Sequence, residues 1–264
     1  MTDVAAFRPT GPNRYQPAEA ATGSWDPKLL HGAALSALLA GRLQPETGTV
    51  ARFAIDFLAP VPMTELTLDL IDDGGGSRVQ RRRMVVSAGG RVVATASALI
   101  VREGDLDLPE KALNHPSPFP PDQVPSLTEP HPTAAGVVGW ESFVTLGVAI
   151  ELHKVPDDRR THQWIGLTVP VVEGLEPLGI ELVAAAADFA QSAVHRQLRF
   201  DDWSYRNADL TIHLARPVTG TWIGLRSEAL VQPVGAGFNA ADLFDAGGRV
   251  GRSASTLVVE PRSR

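Results

Sequence analysis

The sequence predicts an α+β chain made of two tandem copies of one unit, each an antiparallel sheet wrapped around a central helix. Three observations predict it. "GRVVATASALIV" (90–101) and "GRVGRSASTLVV" (248–259) agree at seven of twelve positions across a gap of 158 residues. "RFAIDFLAPVP" (52–62) and "DLTIHLARPVT" (209–219) both alternate apolar and polar residues before a proline, Pro60 or Pro217, 157 residues apart. An alanine-rich helical pattern precedes each set of strands.

Each element follows from local chemistry. Phe53, Ile55 and Phe57 share one face of the first alternating stretch, and Leu210, Ile212 and Leu214 share one face of the second; this is the period of a half-buried strand. A second strand follows in each half, "ELTLDLI" or "TWIGLRSEALV". A third, "RVQRRRMVVSA" or "GFNAADLFDA", runs into a "GGR" turn before the repeated fourth strand. The second half has extra strands in "FVTLGVAIELHKV" and "HQWIGLTV". Upstream, "WDPKLLHGAALSALLAGRL" has a capping aspartate, Asp26, before Pro27, which predicts a helix start there. "LGIELVAAAADFAQSAVHRQL" is apolar nearly all round, the pattern of a buried helix. Between Gly104 and Pro132 there are eight prolines, and a stretch so poor in donors reads as an extended linker. The expected organisation is therefore one unit over 1–103, a linker over 104–132 and a second unit over 133–264.

Composition narrows the function classes. With 264 residues, 44% hydrophobic and 20% charged, the chain is an ordinary globular one. Its net charge of −6 and pI near 5.6 argue against nucleic acid as a partner. No apolar run is long enough to span a membrane, and "MTDVAAFRPTGPNRY" lacks the pattern of a signal peptide, so a cytoplasmic protein is expected. Without cysteine there is no disulfide, thiolate metal site or thiol nucleophile. The seven histidines show no ligand spacing, and nucleophile-elbow, phosphate-loop and zinc motifs are missing. "GAGFNA" (235–240) has no helix after it to make a dinucleotide turn. No metal and no cofactor are expected.

The duplicated order, with "HGAALSALLAGRL", "NADLTIHLARPVTGTW" and "GRVGRSASTLVV", resembles the double hotdog acyl-CoA thioesterases of the type-II kind. The resemblance implies hydrolysis of acyl-CoA thioesters to free acid and CoA, an acyl-CoA substrate, no cofactor, and a homo-oligomer, dimer or tetramer. A catalytically silent acyl-CoA or lipid binder and an enoyl-CoA hydratase-like enzyme are the alternatives; the latter draws on His213, four residues beyond Asp209 on the same strand face.

Candidate site residues follow. Asp209 opens its strand, and the matching position of the first unit is Arg52, so a carboxylate stands in one copy only, as a single active site requires. The resemblance sets the catalytic aspartate at Asp209; a strand-start aspartate capping nearby backbone is the alternative. The family pairs that aspartate with a threonine and a glutamine. Those positions fall here at Ala229 or Leu230 and at Ser255, or Thr256 one register on, so only Ser255 is left to orient water. Asp188, inside the apolar helix, must be hydrogen-bonded, protonated or facing a cavity, and is the second catalytic candidate. His31, Gly32 and Ala33 begin a helix whose first amides are unsatisfied donors, a candidate oxyanion and substrate-binding site; a glycine required for packing is the alternative. Arg78, Arg81, Arg82 and Arg83 form either a solvated edge or a dock for CoA phosphates.

Overall fold

The computed structural model describes residues 5–113, 148–153 and 160–262. Among them, thirteen strands form one antiparallel sheet: β1 (Phe7–Gly11), β2 (Arg14–Pro17), β3 (Thr49–Phe57), β4 (Leu66–Gly75), β5 (Val79–Ala88), β6 (Arg91–Val101), β7 (Val148–His153), β8 (Thr161–Leu167), β9 (Trp203–Asn207), β10 (Asp209–Leu214), β11 (Trp222–Val231), β12 (Ala236–Asp245) and β13 (Gly248–Pro261). Two helices matter for the site, α1 (Gly32–Leu43) and α3 (Gly179–Asp188); α2 (Glu110–Leu113) is a single turn.

The spatial order is β1-β2-β4-β5-β6-β3-β10-β13-β12-β11-β8-β7, with β9 on the far part of β13. The central eight strands are a palindrome: 4-5-6-3 in one half is answered by 10-13-12-11 in the other. The two similar stretches, β3 and β10, pair with each other, Leu210 against Ile55 and Ile212 against Phe53. The repeat in the sequence is thus a repeat in space, joined at its own duplicated strand. The proposed linker enters as coil from Gly104 and the turn α2; its remainder lies outside the described residues.

The sheet curls around both helices. Phe53, Ile55, Leu210 and Ile212 point inward with Leu35, Leu38, Leu39 and Val183 in one apolar core. At about 25 cal/mol per Å² such burial is the main driving force. The helices lie antiparallel and close, and two glycines permit this. A Cβ on Gly32 would stand 3.0 Å from Asp188 Oδ1, and one on Gly41 would collide with the Glu181 carboxylate. Small residues along α1 and α3 are therefore contact residues.

Candidate active site

The first turn of α1 meets the last turn of α3, and a cavity of about 370 Å³ opens at that junction. Both halves of the chain build it. Trp25, Leu29, Leu30, Leu35, Phe57 and Val61 give an apolar wall from the first half; Asp188, Gln191, Asn207 and Val258 come from the second, and His31 and Gly32 complete the polar end.

The helix start differs from the Asp26–Pro27 expectation. Asp26 Oδ1 accepts from the Lys28 N–H at 2.8 Å in a local turn. The following residues are held extended, Leu30 N–H by Val61 O and His31 N–H by Ala21 O. Helix begins only at Gly32, where His31 is the cap and its Nδ1 accepts from Ala33 N–H at 3.0 Å. Tertiary pairing of the chain before the helix overrides the capping signal. The result sets the unsatisfied amides of α1 at the cavity wall instead of five residues earlier.

Asp188 ends α3 and is 2% exposed. Its Oδ1 accepts from Asn207 Nδ2 at 2.8 Å, and the same amide nitrogen donates to the Asp188 main-chain oxygen at 3.0 Å. Asn207 is itself oriented by Asn239, whose Nδ2 donates to Asn207 Oδ1 at 3.0 Å. Burial pushes the carboxyl up to about 6, against the opposing pull of Asn207 and the Ala33 amide. Desolvation wins because each neighbour offers a hydrogen bond but not a full positive charge. His31 Nδ1 lies 3.5 Å from Asp188 Oδ2, the distance of an ion pair. Burial, however, lowers the imidazole to about 4, so at neutral pH the ring is uncharged and the contact is not a salt bridge. With Nδ1 accepting from Ala33, the neutral ring carries its proton on Nε2, an atom with no partner among the described residues.

The remaining candidates divide by the pleat. In β10, Leu210 and Ile212 are buried, so Asp209, Thr211 and His213 face away from the helices. The Asp209 carboxylate accepts the Thr256 N–H at 2.6 Å, the backbone-capping alternative. It is not among the residues lining the cavity, and neither is His213. Ser255 is 3% exposed and shares the inner face with Leu257, opposite Asn239. Asp209 and Ser255 therefore lie on opposite faces of the sheet and do not act on one water molecule. This corrects their pairing: adjacent residues on a strand point apart, and Thr256, not Ser255, is beside Asp209. Ala33 is fully buried behind the first turn, an amide donor with no side-chain reach into the cavity.

The arginine run is remote as well. Arg83 makes a two-pronged pair with Asp73 at 2.6 and 2.7 Å, and Arg82 lies near Gln44 and Pro45 just beyond the C-terminal end of α1. The cavity is at the other end of that helix, about 18 Å away. Three residues of the site escaped the sequence reading: Asn207, Asn239 and Gln191. The first lies in a stretch singled out for its resemblance, but nothing in its own pattern marks an amide that grips a helix end. Gln191 is 7% exposed, and its Oε1 has no partner among the described residues. Among the described residues there is no cluster of three or more histidine or acidic side chains able to hold a metal ion, and no helix is long and apolar enough to cross a membrane.

Comparison with known proteins agrees with this architecture. The chain matches solved structures over nearly its full length: a conserved hot dog-fold protein from Alicyclobacillus acidocaldarius (18% identity, TM-score 0.66, 99% of this chain and 97% of that one); a tesB protein of Mycobacterium avium subs paratuberculosis (14%, 0.66, 97% and 96%); and an acyl-CoA thioesterase II, TesB2, of Mycobacterium marinum (13%, 0.63, 98% and 96%). At these identities the likeness shows the fold, a double hotdog. No curated protein matches the chain in sequence. Residues 120–259 match the family model described as acyl-CoA thioesterase C-terminal domain. That span covers more than half of the chain, and the protein belongs to the acyl-CoA thioesterase family.

Proposed function

We propose that the protein hydrolyses acyl-CoA thioesters in the cavity between α1 and α3, with Asp188 as general base. The carrying observation is a buried carboxylate, held by Asn207 and pressed against Gly32 at a helix N-terminus, at the polar end of an apolar cavity. A thioester is already activated, so the reaction requires only a positioned water, a base and donors for the oxyanion. Asp188 takes a proton from water as the water oxygen bonds to the carbonyl carbon. The Gly32 N–H, unsatisfied within the helix, faces the developing oxyanion; a well-placed donor of this kind is worth about 3–4 kcal/mol. Collapse of the tetrahedral intermediate breaks the carbon–sulfur bond, and the Asp188 carboxyl returns its proton to the leaving thiolate. Gln191 supports this geometry as a side-chain amide at the cavity wall whose Oε1 has no partner among the described residues, suited to hold the water. It supplies, from the turns that follow α3, the amide that the family resemblance sought at Ser255, while Ser255 is paired with Asn239 on the neighbouring strand.

Assembly into a homodimer or tetramer is part of the proposal. Leu230 and Phe238, paired across β11 and β12, are 48% and 44% exposed on the outer sheet face, an apolar surface that association would cover.

The test is release of free thiol from a panel of acyl-CoAs. Turnover is expected; tight binding of acyl-CoA with no thiol released would give the silent binder instead. The same panel reads the acyl site. Leu35 is fully buried and lines the cavity, so Leu35→Ala should lengthen it and shift the preferred acyl chain upward by two or more carbons. Its folding cost is about 2–5 kcal/mol. Ratios of kcat/KM between two chain lengths, measured in competition, cancel any loss of folded enzyme and check the shift directly.

A further inference from the structure

One region of the inner sheet face is apolar in the first half of the chain and polar in the second. The paired row Leu70, Met84, Ala96 and Ile55 crosses the first half; its counterpart in the second is Ser227, Ala241, Ser253 and Ile212. Alongside it, Ala229, Asn239 and Ser255 stand opposite one another on β11, β12 and β13. The turns over Phe189–Arg196 pack against β11 and β12, and there Ser192 Oγ donates to Gln163 Oε1 at 2.8 Å. Six atoms of this patch have no partner among the described residues: Gln163 Nε2, Gln191 Oε1, Asn239 Oδ1 and the hydroxyls of Ser227, Ser253 and Ser255. All six residues are at most 7% exposed.

A buried donor or acceptor left unmet is costly. Folded proteins meet such groups with ordered water wherever the space between them is polar and large enough. Ala229 and Ala241, set among these side chains, leave that space. The patch also lies between two cavities. Asn239 Nδ2 donates to Asn207 Oδ1, and Asn207, Gln191 and Asp188 line the cavity of the candidate site. At the other end of the same row, Ala229 lines a second cavity of about 470 Å³ with Ala193, Gln197 and Glu228. Two strand spacings, about 10 Å, separate Ala229 from Ser255.

We infer that this patch is a buried water-binding site, which returns water to Asp188 from behind while an acyl thioester fills the cavity in front. The inference rests on Asp188 acting on water in that cavity. Each turnover consumes one water molecule: its oxygen bonds to the carbonyl carbon, one proton passes through Asp188 to the leaving thiolate, and the other stays with the acid. Substrate entering through the mouth displaces water ahead of it, and an apolar acyl chain carries none in. A store beneath the turns after α3 restores the nucleophile without release of the substrate. Gln191, with its unpartnered acceptor at the cavity wall, is where the water passes from one to the other.

The experiment is a crystal structure of the intact wild type, read together with thiol release by Ala241→Val and Ala229→Val. The wild type should show ordered water bonded to Asn239 and to the neighbouring serines. Valine at 241 fills the space between the polar groups; valine at 229, at the partly exposed rear entry, serves where the first variant does not fold. Either should lower kcat about tenfold, the rate equivalent of one lost hydrogen bond to the nucleophile, with KM within about twofold of wild type because the acyl site is untouched. A merely structural role would lower the unfolding midpoint and leave kcat per folded molecule unchanged. A patch whose side chains pair with one another and hold no water overturns the inference, and so does unchanged kcat in a folded valine variant. A wild type that releases no thiol from any acyl-CoA fails the hydrolytic reading itself, whereas equal kcat in wild type and variants fails the water site alone.

Discussion

Replacing Asp188 by asparagine is expected to cut thiol release by about 10²–10⁴, the usual cost of losing a general base, and to raise the melting temperature above pH 6. The two effects have one cause. Burial favours the protonated carboxyl in the folded chain, where its pKa stands at about 6 against the ordinary carboxyl value of 3.8. Between those values the folded state binds more protons than the unfolded one, so stability falls as pH rises from about 4 to 6 and stays low above that. The full penalty at neutral pH is about 3 kcal/mol. Asparagine keeps the shape, can still accept from Asn207, and carries no charge to desolvate. The variant should therefore unfold at a higher temperature than the wild type at pH 8, with the difference closing near pH 4. Thermal unfolding at three pH values checks the sign. An aspartate held merely for structure would show the opposite, a less stable asparagine variant at every pH.

Gly32→Ala is the second large effect. The added Cβ would be built 3.0 and 3.1 Å from the two carboxylate oxygens of Asp188, tighter than ordinary contact, and neither side can yield easily. Asp188 is anchored through Asn207 and Asn239, and Gly32 by the helix it begins. The methyl would also stand where a carbonyl has to approach the first amides of α1. A displacement of this size at the reacting groups typically costs about 10²-fold. Stability should fall by about 1–3 kcal/mol, the usual cost of overpacking. A steady-state assay paired with chemical denaturation separates the two: turnover lost by about 10²-fold in protein that is still folded under assay conditions identifies Gly32 as part of the site.

The fold was legible in the sequence because a duplicated strand carries its alternation with it. β3 and β10, β6 and β13 each show the same faces twice, and the alanine-rich helix patterns fit only inside a curled sheet. The site was legible in part. His31 and Gly32 were visible as a helix start, and Asp188 as a charge in an apolar helix that needed a reason to be there. What the sequence does not carry is which face of a strand meets which partner. Asp209 and Ser255 looked like members of one constellation, but a single step along β13 moves the neighbour of Asp209 from Ser255 to Thr256 and puts the serine on the other side of the sheet. Asn207 and Asn239 have no periodic signal at all. They become a support for Asp188 only through the pairing of β9 with β13 and of β12 with β13, a contact between segments more than thirty positions apart.

The central claim is that the chemistry belongs to the buried carboxylate on the helix and not to the carboxylate on the outer strand face. Thiol release from one acyl-CoA by the Asp188→Asn and Asp209→Asn variants, run side by side, tests it most directly. The Asp188 variant should lose turnover by about 10²–10⁴, while the Asp209 variant, whose amide oxygen can still accept from the Thr256 N–H, should stay within about threefold of wild type, since it weakens one hydrogen bond outside the site and removes no reacting group. Turnover abolished at Asp209 and preserved at Asp188 would contradict the account and move the site to the other side of the sheet.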